Sequence, residues 1–486
     1  FAKEHRVIPI YQMGDIVTIA TADPTNQYII KKVEKLMGSP VSPVFALPKA
    51  IEDAIEIQHQ TTSALSGFIA KIAEDASLKG TTQITSEQLK ELAEDQSVVE
   101  FCRGVIILAL RERASDIHIE PGEDMVRIRF RIDGVLQEKM KIEKILLPAI
   151  TSRLKIVANL DIVEKRKPQD GRATFQLPNK SIDIRFSTVP TIYGEKLVLR
   201  ILGQAANSET LGLEELYLSK SSYDEVRKVI DSPNGVFFVT GPTGSGKTTT
   251  LFAILKHLNT PAVNIMTIED PVEVRLPGIN QVQVNADIGV DFGSALRAFL
   301  RQDPNVILIG EIRDVETAKI ASQAALTGHL VLATMHTNNA LQAVTRLVEI
   351  GVEPFLVAPS IIGVMAQRLV RRICEYCKEK YKLPVSTMER YFLGDPNQEI
   401  FVCRGRGCIE CNQSGYVGRV GVHEIFIMSE QVRSMVAKGA SILEIEAEAF
   451  RSGYKTMRYD GMKKVLRGIT TIEEIESVST AEEKSY

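Results

Sequence analysis

The chain has 486 residues, 44% of them hydrophobic and 24% charged, with a formal net charge of −3. That length allows about three domains and more than one core, and so ordinary a composition excludes wholesale disorder. The near-neutral charge gives no global pull toward nucleic acid or anionic lipid, and no apolar run approaches the ~20 residues that cross a bilayer.

No secretory signal is visible, and the opening Phe1 in place of Met reads as a start inside a longer protein. Residues 1–60 read as a small mixed unit. Its β-rich runs are punctuated at Gly14-Asp15 and Asp23-Pro24, and a helical stretch runs from Gln27 to Met37. Residues 61–97 are polar and helix-prone, with a break at GTTQITS, and read as a linker containing helices.

A second domain is expected over residues 98–203. It opens on an apolar-rich helix, VVEFCRGVIILALRERA. In MVRIRFRIDG, Val126, Ile128, Phe130 and Ile132 alternate with Arg127, Arg129 and Arg131, which predicts a strand with one buried face and one arginine face. SIDIRFSTVP and EKLVLRILG add strands, so helices should cover one side of a sheet. For Arg127, Arg129 and Arg131 a solvated face or subunit contacts is the expected role.

After a loose stretch at 203–212, short apolar runs alternate with helical patterns: VFFVT, NIMTI, VILIG and LVLAT. This predicts a mainly parallel α/β sheet with ligands at the carboxyl ends of its strands. The apolar run from Phe355 to Ala366 reads as a buried helix. Amphipathic helices are expected from about Ser429 to the end.

The strongest motif is VFFVTGPTGSGKTTTLFAILKHL. Gly241, Gly246, Lys247 and Thr248 fit G-x-x-x-x-G-K-[ST] between a buried strand and an apolar helix. In such a loop, the backbone of Gly241, Pro242, Thr243, Gly244, Ser245 and Gly246 curls its N–H groups around phosphates. Lys247 reaches the β- and γ-phosphates, the Thr248 hydroxyl takes Mg²⁺, and Thr249 follows on the helix. Strand-end carboxylates follow at Glu311, in NVILIGEIRD, and at Glu269 with Asp270, in MTIEDPVE. Glu311 could sit near Mg²⁺ and the attacking water. His336, just past LVLAT, could sense the γ-phosphate, whereas His329 reads equally as a helix cap.

Five of the six cysteines fall within 38 residues, which favours metal binding or catalysis over a disulfide scaffold. Cys374 and Cys377 form one knuckle and Cys408 and Cys411 another, with 30 residues between. Four thiolates suit a structural tetrahedral Zn²⁺. A redox dithiol is the alternative, and Cys403 competes with Cys408 as a ligand. Arg371, Arg372, Lys378, Arg404 and Arg406 should lower the thiol pKa values. Cys102 reads as core.

Taken together, GPTGSGKTTT, IEDPVE, RQDPNVILIGEIRDVETA, TGHLVLATMHTN, AQRLVRRIC and GCIECNQSGYVGR resemble the secretion ATPases that power type II secretion and type IV pilus assembly. ASDIHIEP, RFRIDG and KPQDGR match in the second domain. The resemblance implies a hexameric cytoplasmic motor that hydrolyses ATP with Mg²⁺. It would be peripheral at the inner membrane, working through a platform protein and a cytoplasmic adaptor. The family's cyclic-dinucleotide motifs would lie upstream of residue 1.

The implied fold is α/β: a RecA-like P-loop ATPase domain preceded by a PAS-like α+β domain, with a four-cysteine zinc module and a helical C-terminal tail. The implied limits are 1–60 for the last part of the family's N-terminal domain, 61–97 for the linker, 98–203 for the PAS-like domain, 212–370 for the RecA-like core, 371–425 for the tetracysteine module and 426–486 for the tail. Arg185 and Arg200 match arginines that reach the γ-phosphate, and Arg297 and Arg301 match arginines near the nucleotide or subunit interface. Glu311 matches the Walker B carboxylate, and Glu269 is its rival for orienting water. The four-cysteine pattern matches assembly and secretion ATPases rather than pilus retraction ATPases, with pilus assembly preferred over type II secretion. The rival classes are a nucleic-acid motor and a nucleotide-gated scaffold. The acidic net charge, the absence of Trp and the lack of aromatics among the sheet arginines stand against the first.

Overall fold

A computed structural model describes residues 1–13, 16–59, 93–177, 180–202, 211–384, 386 and 399–479. The expected linker helices at 61–92 and the loose stretch at 203–210 lie outside the described residues. The chain divides into two compact units, Phe1–Gln204 and Ala205–Tyr486.

The first unit begins with α1 (Ala2–His5), β1 (Val7–Met13), β2 (Ile16–Thr21), α2 (Gln27–Met37), β3 (Val41–Phe45) and α3 (Pro48–His59). The three strands lie in the order β1-β2-β3. Helix α2 starts where Asn26 accepts from the Ile29 N–H and stops at Gly38, whose φ of 67° suits glycine.

Next comes α4 (Gln96–Arg111), capped by Asp95, which accepts from the Ser97 N–H. It buries Val98, Phe101, Cys102, Val105, Ile106 and Ala109, a stripe at helical spacing. The strands are β4 (Ala114–Pro121), β5 (Met125–Ile132), β6 (Val135–Glu143), β7 (Gln169–Leu177), β8 (Lys180–Thr191) and β9 (Gly194–Ile201), with α5 (Leu147–Val157) between β6 and β7. They form one antiparallel sheet in the order β6-β5-β4-β9-β8-β7. Val126, Ile128 and Phe130 are fully buried against α4 and α5, each contributing about 1.5–3 kcal/mol. The arginines between them face the other way, as the alternation requires.

The second unit is built on the sheet β12-β11-β13-β14-β10-β15-β18. Its elements are α6 (Lys220–Ile230), β10 (Gly235–Thr240), α7 (Lys247–Leu258), β11 (Ile265–Glu269), β12 (Asn280–Gln283), α8 (Phe292–Phe299), β13 (Val306–Ile309), α9 (Val315–Leu326), β14 (Leu330–Met335), α10 (Ala340–Glu349), α11 (Pro354–Ser360) and β15 (Ile361–Ile373). Then come β16 (Lys378–Lys382), β17 (Phe401–Gly405), β18 (Tyr416–Ile427) and the helices α12 (Glu430–Ala437), α13 (Ile442–Arg451), α14 (Met457–Leu466) and α15 (Ile472–Val478). Only β18 runs antiparallel to its neighbour, β15. Helices cover both faces, with separate cores on each side. Strands β10, β13 and β14 are therefore buried on both faces and read as continuous apolar runs.

One expectation fails. Phe355–Ala366 is not a buried helix: α11 ends at Ser360 and Ile361 opens β15, which pairs in parallel with β10. A strand buried on both faces shows no period-2 signal, so an apolar run cannot tell it from a helix. The β-branched Ile361, Ile362 and Val364 were the available cue. β15 then carries the chain from the seven-stranded sheet directly to Cys374, and the β15–β18 pair spans both limits expected at 370/371 and 425/426.

Candidate nucleotide site

The loop between β10 and α7 turns on three glycines with positive φ: Gly241 at 145°, Gly244 at 80° and Gly246 at 88°. Two are also required by close approach. A Cβ on Gly241 would lie 2.5 Å from the Gln367 carbonyl, and one on Gly246 would lie 2.7 Å from Gln367 Nε2. Pro242, Thr243 and Gly244 are exposed at the tip, Ser245 is buried, and Thr248 and Thr249 are exposed on the first turn of α7. N–H groups at a helix N-terminus, preceded by a glycine loop, form an anion cradle.

Lys247 Nζ arches over this loop, donating to the carbonyls of Gly241 at 2.8 Å and Pro242 at 3.1 Å. Burial holds its pKa below the ordinary lysine value; Glu311 opposes that effect and Arg368 adds to it.

Two strand ends bring carboxylates to the same place. Thr248, Glu269, Asp270, Glu273, Glu311 and Arg313 share a cleft of about 110 Å³. Glu269, at the end of β11, is buried and accepts from Thr267 Oγ1 at 2.6 Å and Gln281 Nε2 at 2.9 Å. Glu311 follows β13. Its Oε2 accepts a fork from Arg313, Nε at 2.7 Å and Nη2 at 2.6 Å, and its Oε1 lies 3.1 Å from His336 Nε2. Thr334 Oγ1 donates to the Gly310 carbonyl at 2.5 Å and ties β14 to the turn that carries Glu311. A hydroxyl and two carboxylates beside an anion cradle can hold a hydrated divalent cation against a polyphosphate and orient a water.

His336 thus meets Glu311, whereas His329 Nδ1 lies 2.8 Å from the Ala324 carbonyl and closes the end of α9. Arg297 on α8 pairs with Glu316 on α9, and Arg301 donates to the Arg297 carbonyl at 2.8 Å; neither lines the cleft. Arg185 and Arg200 sit opposite each other on β8 and β9 of the first unit, with Arg200 Nε 2.9 Å from Asp116 Oδ1.

Sequence reasoning missed the side chains that set the loop. Gln367, 3% exposed in β15, donates to the Ser245 carbonyl at 2.9 Å and accepts from Thr250 Oγ1 at 2.6 Å. Arg368 beside it donates to the Asn338 carbonyl at 3.0 Å, on the loop that carries His336. Two consecutive polar residues that interrupt the apolar run IIGVMA, in AQRL, were the available signal.

Beyond β15, the sulfurs of Cys374, Cys377, Cys408 and Cys411 lie within 4.8 Å of one another. Cys374–Cys408 and Cys377–Cys411 are 3.8 Å apart and Cys408–Cys411 3.6 Å. Thiolates about 2.3 Å from a tetrahedral zinc lie about 3.8 Å apart, so the donor set fits such an ion. All six cysteines are free. Cys403 lies outside the cluster, against Gly468.

The expected source of thiolate stabilisation is corrected. Arg404 and Arg406 pair with Glu379, Arg371 with Glu474 and Lys378 with Glu375, so local carboxylates answer these charges. Burial raises the Cys374 pKa and pushes Cys377 up to about 12. Burial also acts against Cys411, yet N–H donors of Cys408 and Gly415 bring it down to about 6. Backbone hydrogen bonds outweigh side-chain charge here.

No helix among the described residues is long and apolar enough to cross a membrane. Residues 91–477 match the family described as type II/IV secretion system protein, and residues 1–60 match the MshEN domain. The chain is 44% identical over 480 residues to the type IV pilus assembly ATPase PilB of Thermus thermophilus, covering 97% of this chain and 53% of that protein, so it spans about half of that relative. It is 43% identical over 477 residues to type II secretion system protein E of Xanthomonas campestris pv. campestris, covering 98% of this chain and 83% of that protein. The fold is like that of the ATPase DotB of Legionella pneumophila, with a TM-score of 0.59 at 21% identity over 78% of this chain and 95% of that one. With its phosphate-type loop, paired strand-end carboxylates and four-cysteine cluster in one unit, the chain belongs to the type II/IV secretion system protein family.

Proposed function

We propose that this chain is an ATPase whose turnover drives assembly of a pilin fibre through an inner-membrane platform protein. It works as a cytoplasmic homo-hexamer, held at the membrane by the platform and by a cytoplasmic adaptor. The carrying observation is the cleft in which Thr248, Glu269 and Glu311 converge beside the glycine loop. In this reading the 241–249 loop holds the phosphates of ATP, Lys247 neutralises charge on the transferred phosphoryl group, and Thr248 with Glu311 holds Mg²⁺. Glu311, steadied by Arg313 and His336, orients the attacking water, with Glu269 its rival.

In this reading residues 98–203 are the PAS-like domain and 212–370 the RecA-like core, and Arg185 and Arg200 supply positive charge to the γ-phosphate. Arg297 and Arg301 serve the nucleotide or the subunit boundary. Cys374, Cys377, Cys408 and Cys411 hold a structural zinc, which supplies folding energy to residues 371–425.

Steady-state hydrolysis by the wild type and by Glu311→Gln and Glu269→Gln tests the core of this reading. ATP binding with turnover lost in one variant identifies the water-orienting group. Equal slow hydrolysis in all three would overturn the motor assignment in favour of a nucleotide-gated scaffold. A type II secretion role is the second reading, because the relatives divide between the two machines at nearly equal identity, 44% and 43%.

A further inference from the structure

Glu424, 5% exposed on β18, sits where two helices of the second unit begin. Its Oε1 accepts from the Ala340 N–H at 2.7 Å, and its Oε2 accepts from the Met457 N–H at 3.1 Å. Those are the first residues of α10 and α14, and both are buried. The Tyr454 hydroxyl also donates to Oε1. N–H groups in the first turn of a helix have no partner within it, and both helix dipoles turn their positive ends on this one carboxylate. A glutamine offers a single amide oxygen, and its NH₂ would face a second donor.

The side chains that cap these helices serve other groups. Asn339 Oδ1 accepts from the Gln342 N–H and Thr456 Oγ1 from the Tyr459 N–H, which leaves the Ala340 and Met457 N–H groups to Glu424. Immediately before α10 lies the 336–339 loop, which carries His336. Arg368 Nη2 holds its Asn338 carbonyl at 3.0 Å, and Glu424 holds its far end at Ala340. Glu424 stands opposite Ala366 in register, two residues before Arg368 on β15, and the attraction of its charge reaches Arg368. The loop is thus tied at two points to the β15–β18 pair. From it His336 reaches Glu311, Nε2 to Oε1 at 3.1 Å.

We propose that Glu424 is a positioning residue for His336. By fixing the first residue of α10 it sets where the histidine meets Glu311. By fixing α14 with the same carboxylate, it makes that setting depend on the C-terminal helices. The proposal rests on the reading that Glu311 and His336 act on ATP, and it adds a buried group for which neither motif nor resemblance supplied a role. A misplacement of about 1 Å that starts far from the chemistry can cost on the order of a hundredfold in rate.

The test is steady-state ATP turnover by the full chain, beside thermal melting. Glu424→Gln should lower kcat by about tenfold and leave KM for ATP within about twofold of wild type, because Gln367 rather than this loop sets the phosphate cradle. Its midpoint should fall too, since a buried N–H loses its acceptor. Glu424→Asp keeps the charge on a shorter arm and should show a smaller loss of kcat, which preserves the test if the glutamine variant does not fold. Asp460→Asn breaks the buried pair with Lys464 on α14 and should lower the midpoint while kcat holds. In a His336→Ala background, Glu424→Gln should still lower the midpoint but change turnover by less than about twofold. Wild-type kcat in the Glu424 variants, an equal fall of kcat in Asp460→Asn, or an undiminished loss in the His336→Ala background would each overturn the positioning role. An inactive Glu311→Gln beside any of these results would leave the ATPase reading standing. Equal slow hydrolysis by wild type and Glu311→Gln would overturn the proposal together with that reading.

Discussion

Gln367 holds Ser245: its Nε2 donates to the Ser245 carbonyl at 2.9 Å, from a strand separated from the glycine loop by 122 positions in sequence. The same amide accepts from Thr250 Oγ1 at 2.6 Å, so one buried side chain spans the end of the loop and the first turns of α7. Gln367 also occupies the space that a Cβ would need at two loop positions, its backbone carbonyl against Gly241 and its amide against Gly246.

Replacing that amide with Gln367→Leu keeps the volume and removes both bonds. Each buried group left unsatisfied costs about 1–3 kcal/mol, so the thermal midpoint should fall. The loop would lose its register against β15, and KM for ATP should rise by about tenfold with a smaller change in kcat. Unchanged KM in a destabilised protein would show that Gln367 only packs. Titration of turnover against ATP, beside a melting curve, separates the two.

Arg313 grips Glu311 through Nε and Nη2, while His336 reaches the other carboxylate oxygen. Arg313→Ala leaves Glu311 in place but held by one neighbour only. Turnover should fall by about tenfold with ATP affinity nearly unchanged, because a wandering carboxylate orients water poorly. The loss should also be absent in a Glu311→Gln background, since residues acting through one another do not add. Additive losses in the double variant would assign Arg313 a separate task.

The difference between what was legible and what was not follows from where the information lies. The glycine loop, Lys247, Thr248 and the strand-end carboxylates were readable because local spacing and apolar runs encode them. The same holds for the alternation around Phe130. Gln367 was not, because its meaning lies in Ser245 and Thr250, 122 and 117 positions away. The cysteine pattern was plain, but its electrostatics were misjudged. Arg371 is answered by Glu474, 103 positions on, and no count of nearby charges reveals that. The helix expected at Phe355–Ala366 failed for a similar reason: pairing with β10, rather than local propensity, decides its second half.

The four sulfurs lie within 4.8 Å of one another, a spacing that suits the corners of a zinc-sized tetrahedron, and β16 pairs antiparallel with β17 between the two cysteine pairs. Purified protein should hold about one zinc per chain. Cys408→Ser, or a strong chelator, should release it, lower the thermal midpoint and open residues 399–415 to protease, since metal binding there is folding energy. Cys403→Ser should keep the metal, because Cys403 lies against Gly468 instead. A folded, metal-free protein with an unchanged midpoint would remove zinc from the description, and loss of metal in Cys403→Ser would reassign the ligand set.

His423 supplies the last prediction, through linkage. It is buried in β18, its backbone N–H donates to Asp460 Oδ2 at 2.9 Å, and its ring Nδ1 finds no hydrogen bond among the described residues. Burial, with Lys464 nearby, holds its pKa well below 6.5. Asp460 faces it too, but that carboxylate is already engaged by Lys464. Below pH 6.5 the unfolded chain therefore binds a proton that the folded chain refuses, and stability must fall as pH falls. The contribution is complete above about pH 6.5 and declines toward the depressed folded value. His423→Gln cannot take up that proton, so its stability should fall less steeply than that of wild type between about pH 6.5 and 5. Denaturant midpoints for both proteins at several pH values measure the difference. Parallel slopes would mean that His423 takes up its proton as readily in the fold as in the unfolded chain, contrary to the cost of charging a ring sealed among Asp460, Lys464 and the strand.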